Sequence, residues 1–372
     1  MKRGVSIVIP SWNGLALLDR FLPSVLAAAR VYVDKFAAPV EVLIVDDGST
    51  DETVRRLLER GFIRTIASGS GKPGNQAENL AVTAEKSLEA DLPPTIELKL
   101  VVNEINSGFG EASNRGVRAA SHALVLLLNN DVDIDRDAIS PLVDNFRDPT
   151  VFAAHCRVFD LDSGVECGTG KLGGFSRGFF RVHGSYSTPS SPAPGPLFSM
   201  FAGGGSAMFD KQKFIDLGGF EPLLSPFYWE DVELSYRAWK RGFTILYEPR
   251  SVARHRVSST IGRLNRNRVR RIEQRNRLIY HWIHLHDPWF LLAHVVWVTV
   301  LGVTAPLRLK PGFLVSLIAA LKRSPLIRRR RIEEKRASNR TDREVLALFD
   351  SVIGSEGLHI CDEECQNASR SQ

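Results

Sequence analysis

The chain has 372 residues, 44% of them apolar and 24% charged, which fits a folded globular protein and excludes a disordered or fibrous one. Its four cysteines (Cys156, Cys167, Cys361, Cys365) are too few for a disulfide framework, lack a partner pair at zinc spacing, and read as ordinary thiols in a reducing compartment. The net charge of +6 hides an asymmetry: residues 256–340 hold 19 Lys+Arg against 4 Asp+Glu, a balance of +15 that leaves the remainder at −9.

Met1-Lys2-Arg3-Gly4 runs straight into a strand rather than into the apolar stretch and cleavage site of a signal peptide. That strand, Val5 to Pro10, is short, apolar and ended by proline. Ser11 to Gly14 form a turn, and Leu15 to Arg30 carry helical apolar spacing. Val40 to Val45 form a second buried strand that ends in Asp46-Asp47-Gly48-Ser49-Thr50-Asp51, whose last three residues suit the cap of a helix over Glu52–Gly61. From about Ala67 to Thr95 the sequence is polar and broken by Gly and Pro, an inserted excursion with a helix over Asn79–Ala90. Gly69 to Gly74 resemble a phosphate loop only superficially, because the glycine spacing is wrong and Pro73 follows Lys72.

Leu98–Val102 is a third strand, followed by a loop over Asn106–Gly110 and a helix over Glu111–Ser121. The next strand is pivotal. Val125 to Leu128 are branched and apolar, a run too short for a helix and suited to a strand buried on both faces. It breaks at once into Asn129-Asn130-Asp131, and the carboxyl ends of parallel strands are where open α/β sheets bind ligands. A helix over Asp137–Phe146, a strand over Val151–Phe159 and Gly/Ser/Pro-rich loops over 162–196 follow. Then come Phe201 to Phe209 with Gly203-Gly204-Gly205, and a helix over Lys211–Leu217 closed by Gly218-Gly219. Pro226 to Asp231 open a helix that stops at Gly242; a strand over Phe243–Tyr247 and Arg254-His255-Arg256 come next. The strand–helix alternation predicts an α/β fold with a mostly parallel, doubly wound sheet.

Beyond this point the character changes. Arg263 to Arg277 hold seven arginines, Trp289 to Ala305 is nearly continuous apolar sequence, and Phe313–Leu321 is a second apolar run before Arg328–Arg331. Seventeen residues are at the short limit for a spanning helix, while flanking arginines with Trp282, Trp289 and Trp297 suit a headgroup interface. The arm therefore reads as a peripheral or monotopic dock on an anionic membrane. The predicted division is a catalytic domain over 1–255, a helical membrane-associating arm over 256–345 and a polar tail over 346–372.

In order and spacing, Val8-Ile9-Pro10-Ser11-Trp12-Asn13, Val45 to Asp51, Asn106 to Gly110 with Asn114-Arg115-Gly116, Leu127 to Val132 and Tyr228 to Leu234 resemble family 2 glycosyltransferases. These are inverting enzymes with the nucleotide-sugar-binding GT-A fold, and the likeness covers about residues 4–285. Among them it is most similar to rhamnosyltransferase-like members of bacterial surface-polysaccharide assembly.

The resemblance implies roles residue by residue. Pro10, Ser11, Asp47, Asn114 and Asn130 fall on the nucleotide side, with Asp47 accepting from the base and Asn130 facing the ribose. Asp131 implies a ligand for Mg²⁺ or Mn²⁺ bridging the diphosphate, with His255 beside it. Two amides precede Asp131, so one strong anionic ligand remains. Asp231 matches the catalytic base, with Glu230 adjacent; inverting transfer needs a single carboxylate to take the acceptor proton. Gly203 and Gly204 allow close approach of sugar or acceptor, and Trp229 offers a sugar platform.

The implied partners are a dTDP-, UDP- or GDP-linked sugar, a glycan or lipid-linked acceptor at the cytoplasmic face of the membrane, and no nucleic acid. A dinucleotide dehydrogenase is excluded because no G-x-G-x-x-G follows the first strand. A non-catalytic nucleotide- or nucleic-acid-binding protein using the basic arm is the competing reading, disfavoured by the long apolar runs between its arginines.

Overall fold

The computed structural model describes residues 3–65, 92–187, 197–256, 265–307, 312–353 and 359–361. The helix expected over Asn79–Ala90, the glycine-rich loop at 69–74 and most of the polar tail lie outside them.

Strands β1 (Val5–Ser11), β2 (Val40–Asp46), β3 (Ile63–Arg64), β4 (Ile96–Val102) and β5 (Leu124–Leu128) pair in parallel, in the order β5-β1-β2-β4-β3. Every residue of β1, β2 and β5 is buried, as their unbroken apolar runs require when helices cover both faces. The crossovers are α1 (Leu15–Phe36) after β1, α2 (Thr53–Glu59) after β2 and α3 (Phe109–Ala119) after β4. α3 lies close on the sheet, for a Cβ on Gly116 would stand 2.4 Å from Val8 Cγ1. One charge is buried at the amino end of β2. Glu41 faces Lys99 Nζ at 2.6 Å and Ser6 Oγ. Burial pushes its carboxyl up, but Lys99, Ser6 and Ser121 outweigh that and hold it below the usual range.

The second half of the sheet is mixed rather than parallel. After β6 (Val132–Ile134), α4 (Ile139–Asn145) and β7 (Val151–Asp160) come β8 (Glu166–Gly168), β9 (Gly170–Ser176), β10 (Phe179–Ser187) and β11 (Leu197–Phe198). β12 (Ser206–Asp210) then inserts antiparallel between β5 and β7. The helices α5 (Lys211–Asp216) and α6 (Glu230–Lys240) follow, and then β13 (Thr244–His255), parallel to β7. β13 runs well past the Tyr247 expected from sequence, because Pro249 sits in a register shift between Glu248 and Val252 and the pairing resumes beyond it. β9 and β10 form a small second sheet with β14 (His359–Cys361).

The C-terminal region is helical: α7 (Arg266–His284), α8 (Pro288–Leu307), α9 (Gly312–Leu321), α10 (Ser324–Ala337) and α11 (Asp342–Ile353). Much of it packs on the sheet domain. Tyr280, His281 and His284 of α7 are buried, and Lys240 of α6 meets Asp342 at 2.8 Å with both side chains out of solvent. Residues read as the start of a polar tail belong to α11, whose Phe349 packs edge-on against Trp239. The outer face of α8 differs: Trp289, Leu292, Val295, Val296 and Val303 are each more than half exposed.

Candidate active site

The carboxyl ends of β1, β2, β4 and β5 meet in one cleft, and hydrogen bonds between their loops fix it. Asn13 takes a positive φ of 47° after β1. Its backbone N–H donates to Ser49 Oγ at 2.8 Å, and its Oδ1 accepts from Thr50 N at 2.8 Å. Two of the three residues expected to cap α2 are thus used between loops, and Asp51 alone does the capping by accepting from Thr53 N at 3.0 Å. Ser11 Oγ accepts from Asn130 Nδ2 at 3.0 Å, joining the ends of β1 and β5 beside Pro10. No side chain fits at Gly14, where a Cβ would lie 2.3 Å from Ser11 Oγ.

The aspartate pair after β2 divides its work. Asp47 accepts from Asn103 Nδ2 and Gly108 N, each at 2.8 Å, and from Ser107 through both N–H and Oγ. Its carboxylate ties the loop after β4 to the end of β2, which places Asp47 at the cleft end of the sheet, where it is expected on the nucleotide side. Asp46 is fully buried, accepts from Ser49 N at 3.0 Å through Oδ2, and keeps Oδ1 without a partner. Asp46 Oδ1 is enclosed in the protein and is not presented to the cleft.

Asn114 lies inside the protein. Expected on the nucleotide side, it accepts from Phe220 N at 2.7 Å and donates to Phe220 O at 2.9 Å, a buried clamp between α3 and the turn before α6. Asn114→Ala should therefore destabilise the fold by about 1–3 kcal/mol, the cost of leaving buried polar groups unpaired. Urea unfolding alongside nucleotide titration checks this: lower stability with unchanged nucleotide affinity is the expected pairing.

At the end of β5, Asp131 is buried and its Oδ1 lies 3.0 Å from His255 Nε2, brought there by the pairing of β13 with β6. A carboxylate and an imidazole at this separation suit one divalent ion. Two adjacent ligands of an octahedral ion with bonds of about 2.1 Å stand about 3.0 Å apart, and such ions take their other ligands from water and substrate phosphates. Among the described residues no group of three or more His, Cys, Asp or Glu side chains is placed to hold a metal ion, so Asp131 and His255 would supply two ligands at most.

Across the cleft, Gly108 backs onto Pro226 of the turn leading into α6. Tyr228 and Trp229 both take positive φ, 70° and 76°, and this strained turn delivers Glu230 and Asp231 at the helix start. Burial pushes both carboxyls above the ordinary range, and the charge of Asp231 raises Glu230 further. The pair thus favours an ionised Asp231 beside a protonated Glu230, whose buried Oε2 has no hydrogen-bond partner. Trp229 is not a free platform: its indole turns inward onto Tyr280, ring centroids 5.2 Å apart. The exposed aromatic on this rim is Tyr228. Of the glycines, Gly204 fits against Phe109 and Phe220, while Gly203 faces open space.

Asn276 of α7 was not legible as a site residue. It is fully buried and donates to the carbonyls of Leu224, Phe227 and Tyr228, so a helix beyond the sheet holds the catalytic turn in shape. Only its place in an arginine-rich helix was visible in the sequence.

Comparison with known proteins agrees with this architecture. A family model described as "Glycosyl transferase family 2" matches residues 6–75, and one described as "Glycosyl transferase family group 2" matches residues 124–327. Poly-beta-1,6-N-acetyl-D-glucosamine synthases of Staphylococcus epidermidis and Staphylococcus aureus are each 24% identical over 270 residues, 72% of this chain. The chain spans about half the length of these curated relatives, 53% of each. Among solved structures, GalNAc-T7 with UDP, GalNAc and Mn²⁺ is similar at a TM-score of 0.54 and 19% identity, covering 77% of this chain and 49% of that one. S. aureus TarS 1–349 in complex with UDP-GlcNAc aligns at 0.49 and 15% identity, over 98% and 97% of the two chains.

Proposed function

The chain belongs to glycosyl transferase family 2, and from that premise we propose that it transfers a sugar from a nucleoside diphosphate to a hydroxyl, with inversion, in cell-surface polysaccharide synthesis. The observation that carries this reading is the Asp131–His255 pair at 3.0 Å at the end of β5, joined by the raised Glu230–Asp231 pair at the start of α6. That is one site for a diphosphate and one for a proton.

Asp131 and His255 would hold a Mg²⁺ or Mn²⁺ ion, which when bound neutralises charge on the leaving diphosphate. The similar GalNAc-T7 structure holds UDP and Mn²⁺, which is in keeping with a divalent ion and a nucleotide sugar here. Ser11 and Asn130 position the ribose side, and Asp47 the base side. Asp231 Oδ accepts the acceptor proton as the acceptor oxygen bonds to the anomeric carbon and the bond from that carbon to the diphosphate oxygen breaks. Glu230, kept protonated, can donate a hydrogen bond to the bound sugar or acceptor. Gly203 leaves room for either, and Tyr228 can stack on a sugar face.

Residues 1–255 then carry donor chemistry, and 256–345 place the enzyme peripherally on the cytoplasmic face of an anionic membrane. Supporting this is Pro288–Ala305, long and apolar enough by length and composition to cross a bilayer yet lying almost entirely outside the protein interior. Hydrolysis of a panel of dTDP-, UDP- and GDP-sugars with Mg²⁺ or Mn²⁺ is the test. Turnover of one donor, lost on chelation, is the expected result; no turnover of any donor with either ion would overturn the reading.

A further inference from the structure

The helix that opens with Glu230 and Asp231 buries charge along its length. Every residue of α6 from Glu233 to Lys240 is out of solvent, and Glu233, Arg237 and Lys240 share one face by the helical period. Glu233 Oε1 meets His284 Nε2 of α7 at 2.7 Å. Its other oxygen accepts from Arg237, which also donates to the Gly219 carbonyl at 2.8 Å. Burial pushes the Glu233 carboxyl up, but Arg237 and His284 outweigh that and hold it below the usual range. Further along, Lys240 Nζ reaches Asp342 Oδ1 of α11 at 2.8 Å, and the same oxygen accepts from Tyr236 Oη at 2.6 Å. The Lys240 carbonyl, one that a helix end leaves without an intrahelical partner, accepts from Asn339 N at 2.7 Å and Arg340 N at 3.0 Å. His284, Asn339, Arg340 and Asp342 all lie in the C-terminal arm.

An apolar seam lets a helix slide or turn by part of a residue and stay buried. A seam of buried ions does not, because a shift strands a charge in a medium that cannot solvate it. The seam therefore fixes both the height and the rotation of α6. At 3.6 residues per turn, Asp231 falls about 160° around the axis from Glu233, so holding Glu233 on α7 turns Asp231 to the opposite side of the helix.

We propose that α7 and α11 belong to the catalytic unit, with His284 and Asp342 as positioning residues that set where α6 presents Glu230 and Asp231. Both are buried, so they act through α6 and not on a substrate. The reacting role of Glu230 and Asp231 rests on the glycosyltransferase reading; the hold of the seam on the helix does not.

The test compares full-length variants below their melting temperatures. His284→Leu removes one donor to Glu233 and leaves Arg237 in place, whereas His284→Gln keeps an amide donor there. Glu41→Gln disturbs a buried ion pair at the amino end of the sheet, away from α6. His284→Leu should lower kcat by ~10-fold to ~10²-fold, the loss that a displacement of about 1 Å brings, with nucleoside diphosphate affinity unchanged. His284→Gln should recover most of it, and Glu41→Gln should keep the parent's kcat even where it melts earlier. If His284→Leu does not fold, Tyr236→Phe, which takes one hydrogen bond from Asp342 and leaves its ion pair, should show the same split at smaller size. Hydrogen exchange over residues 226–233 needs no turnover, and it should quicken in His284→Leu but not in Glu41→Gln. Parental kcat in His284→Leu, or equal losses in His284→Leu and Glu41→Gln, would overturn the proposal. So would exchange that quickens around residue 284 alone. A parent chain that turns over no donor, with exchange responding as expected, would sink the glycosyltransferase reading and keep the hold of the arm on α6.

Discussion

Asp231→Asn is expected to lower kcat by ~10²–10⁴ while leaving donor binding near normal, because it removes proton acceptance but almost preserves size and shape. In the proposed mechanism the diphosphate is held at Asp131 and His255, so its affinity has no reason to follow kcat. Burial holds the Asp231 carboxyl above the ordinary aspartate range, and a base works only when deprotonated. The acid limb of the kcat/KM profile should therefore lie above the pH at which an exposed aspartate titrates. Glu230→Gln should cost much less, since the protonated acid it imitates is the form favoured beside an ionised Asp231. The same change should alter stability with a definite sign. A carboxyl whose folded pKa is raised contributes stability that is fully present below its unfolded pKa and lost as pH rises through the folded one. Removing Glu230 removes that loss, so the variant's melting temperature should gain on the parent's as pH rises above the ordinary glutamate range. NMR of the product is the second readout: the anomeric configuration should be opposite to the donor's. Retained configuration, or near-normal turnover of Asp231→Asn, would refute the assignment. A dead Glu230→Gln beside an active Asp231→Asn would keep the reaction and move the base by one residue.

Asp131→Ala is the second large effect. It should abolish transfer and remove the metal dependence of nucleoside diphosphate binding, without unfolding the protein. The reason is chemical: it is the single carboxylate of the pair that faces the cleft at the end of β5, and an imidazole alone is a weak ligand for hard cations such as Mg²⁺. Calorimetry with and without Mn²⁺ separates the cases. Unchanged metal-dependent binding in the variant would place the ion elsewhere. Residual binding without metal should persist, because Ser11 and Asp47 stand at the ends of β1 and β2 rather than at that of β5.

Much of this was legible from sequence because it is local. Four branched residues before Asn129-Asn130-Asp131 dictate a buried strand with a polar carboxyl end, and an ordered set of such ends dictates an α/β sheet with a cleft above it. The Glu230–Asp231 pair was legible for the same reason, as two carboxylates at a helix start behind bulky aromatics. What the sequence could not decide was which polar atoms remain open once the chain folds. Asp46 and Asp47 are neighbours of one residue type, yet Asp47 ties the loop after β4 to the end of β2 while Asp46 Oδ1 is enclosed without a partner. Asn114 looked available and is consumed by Phe220, 106 residues further on. Trp229 looked like a platform until Tyr280 of α7 covered it. Each of these outcomes depends on a partner distant in the chain, and hydrogen-bond saturation is a property of packed neighbours that no local pattern carries. The same holds for the basic arm. Its composition shows an arginine-rich, partly apolar segment, whereas only the tertiary packing decided that Arg330 of α10 would meet Glu221 and Arg331 the Trp282 carbonyl.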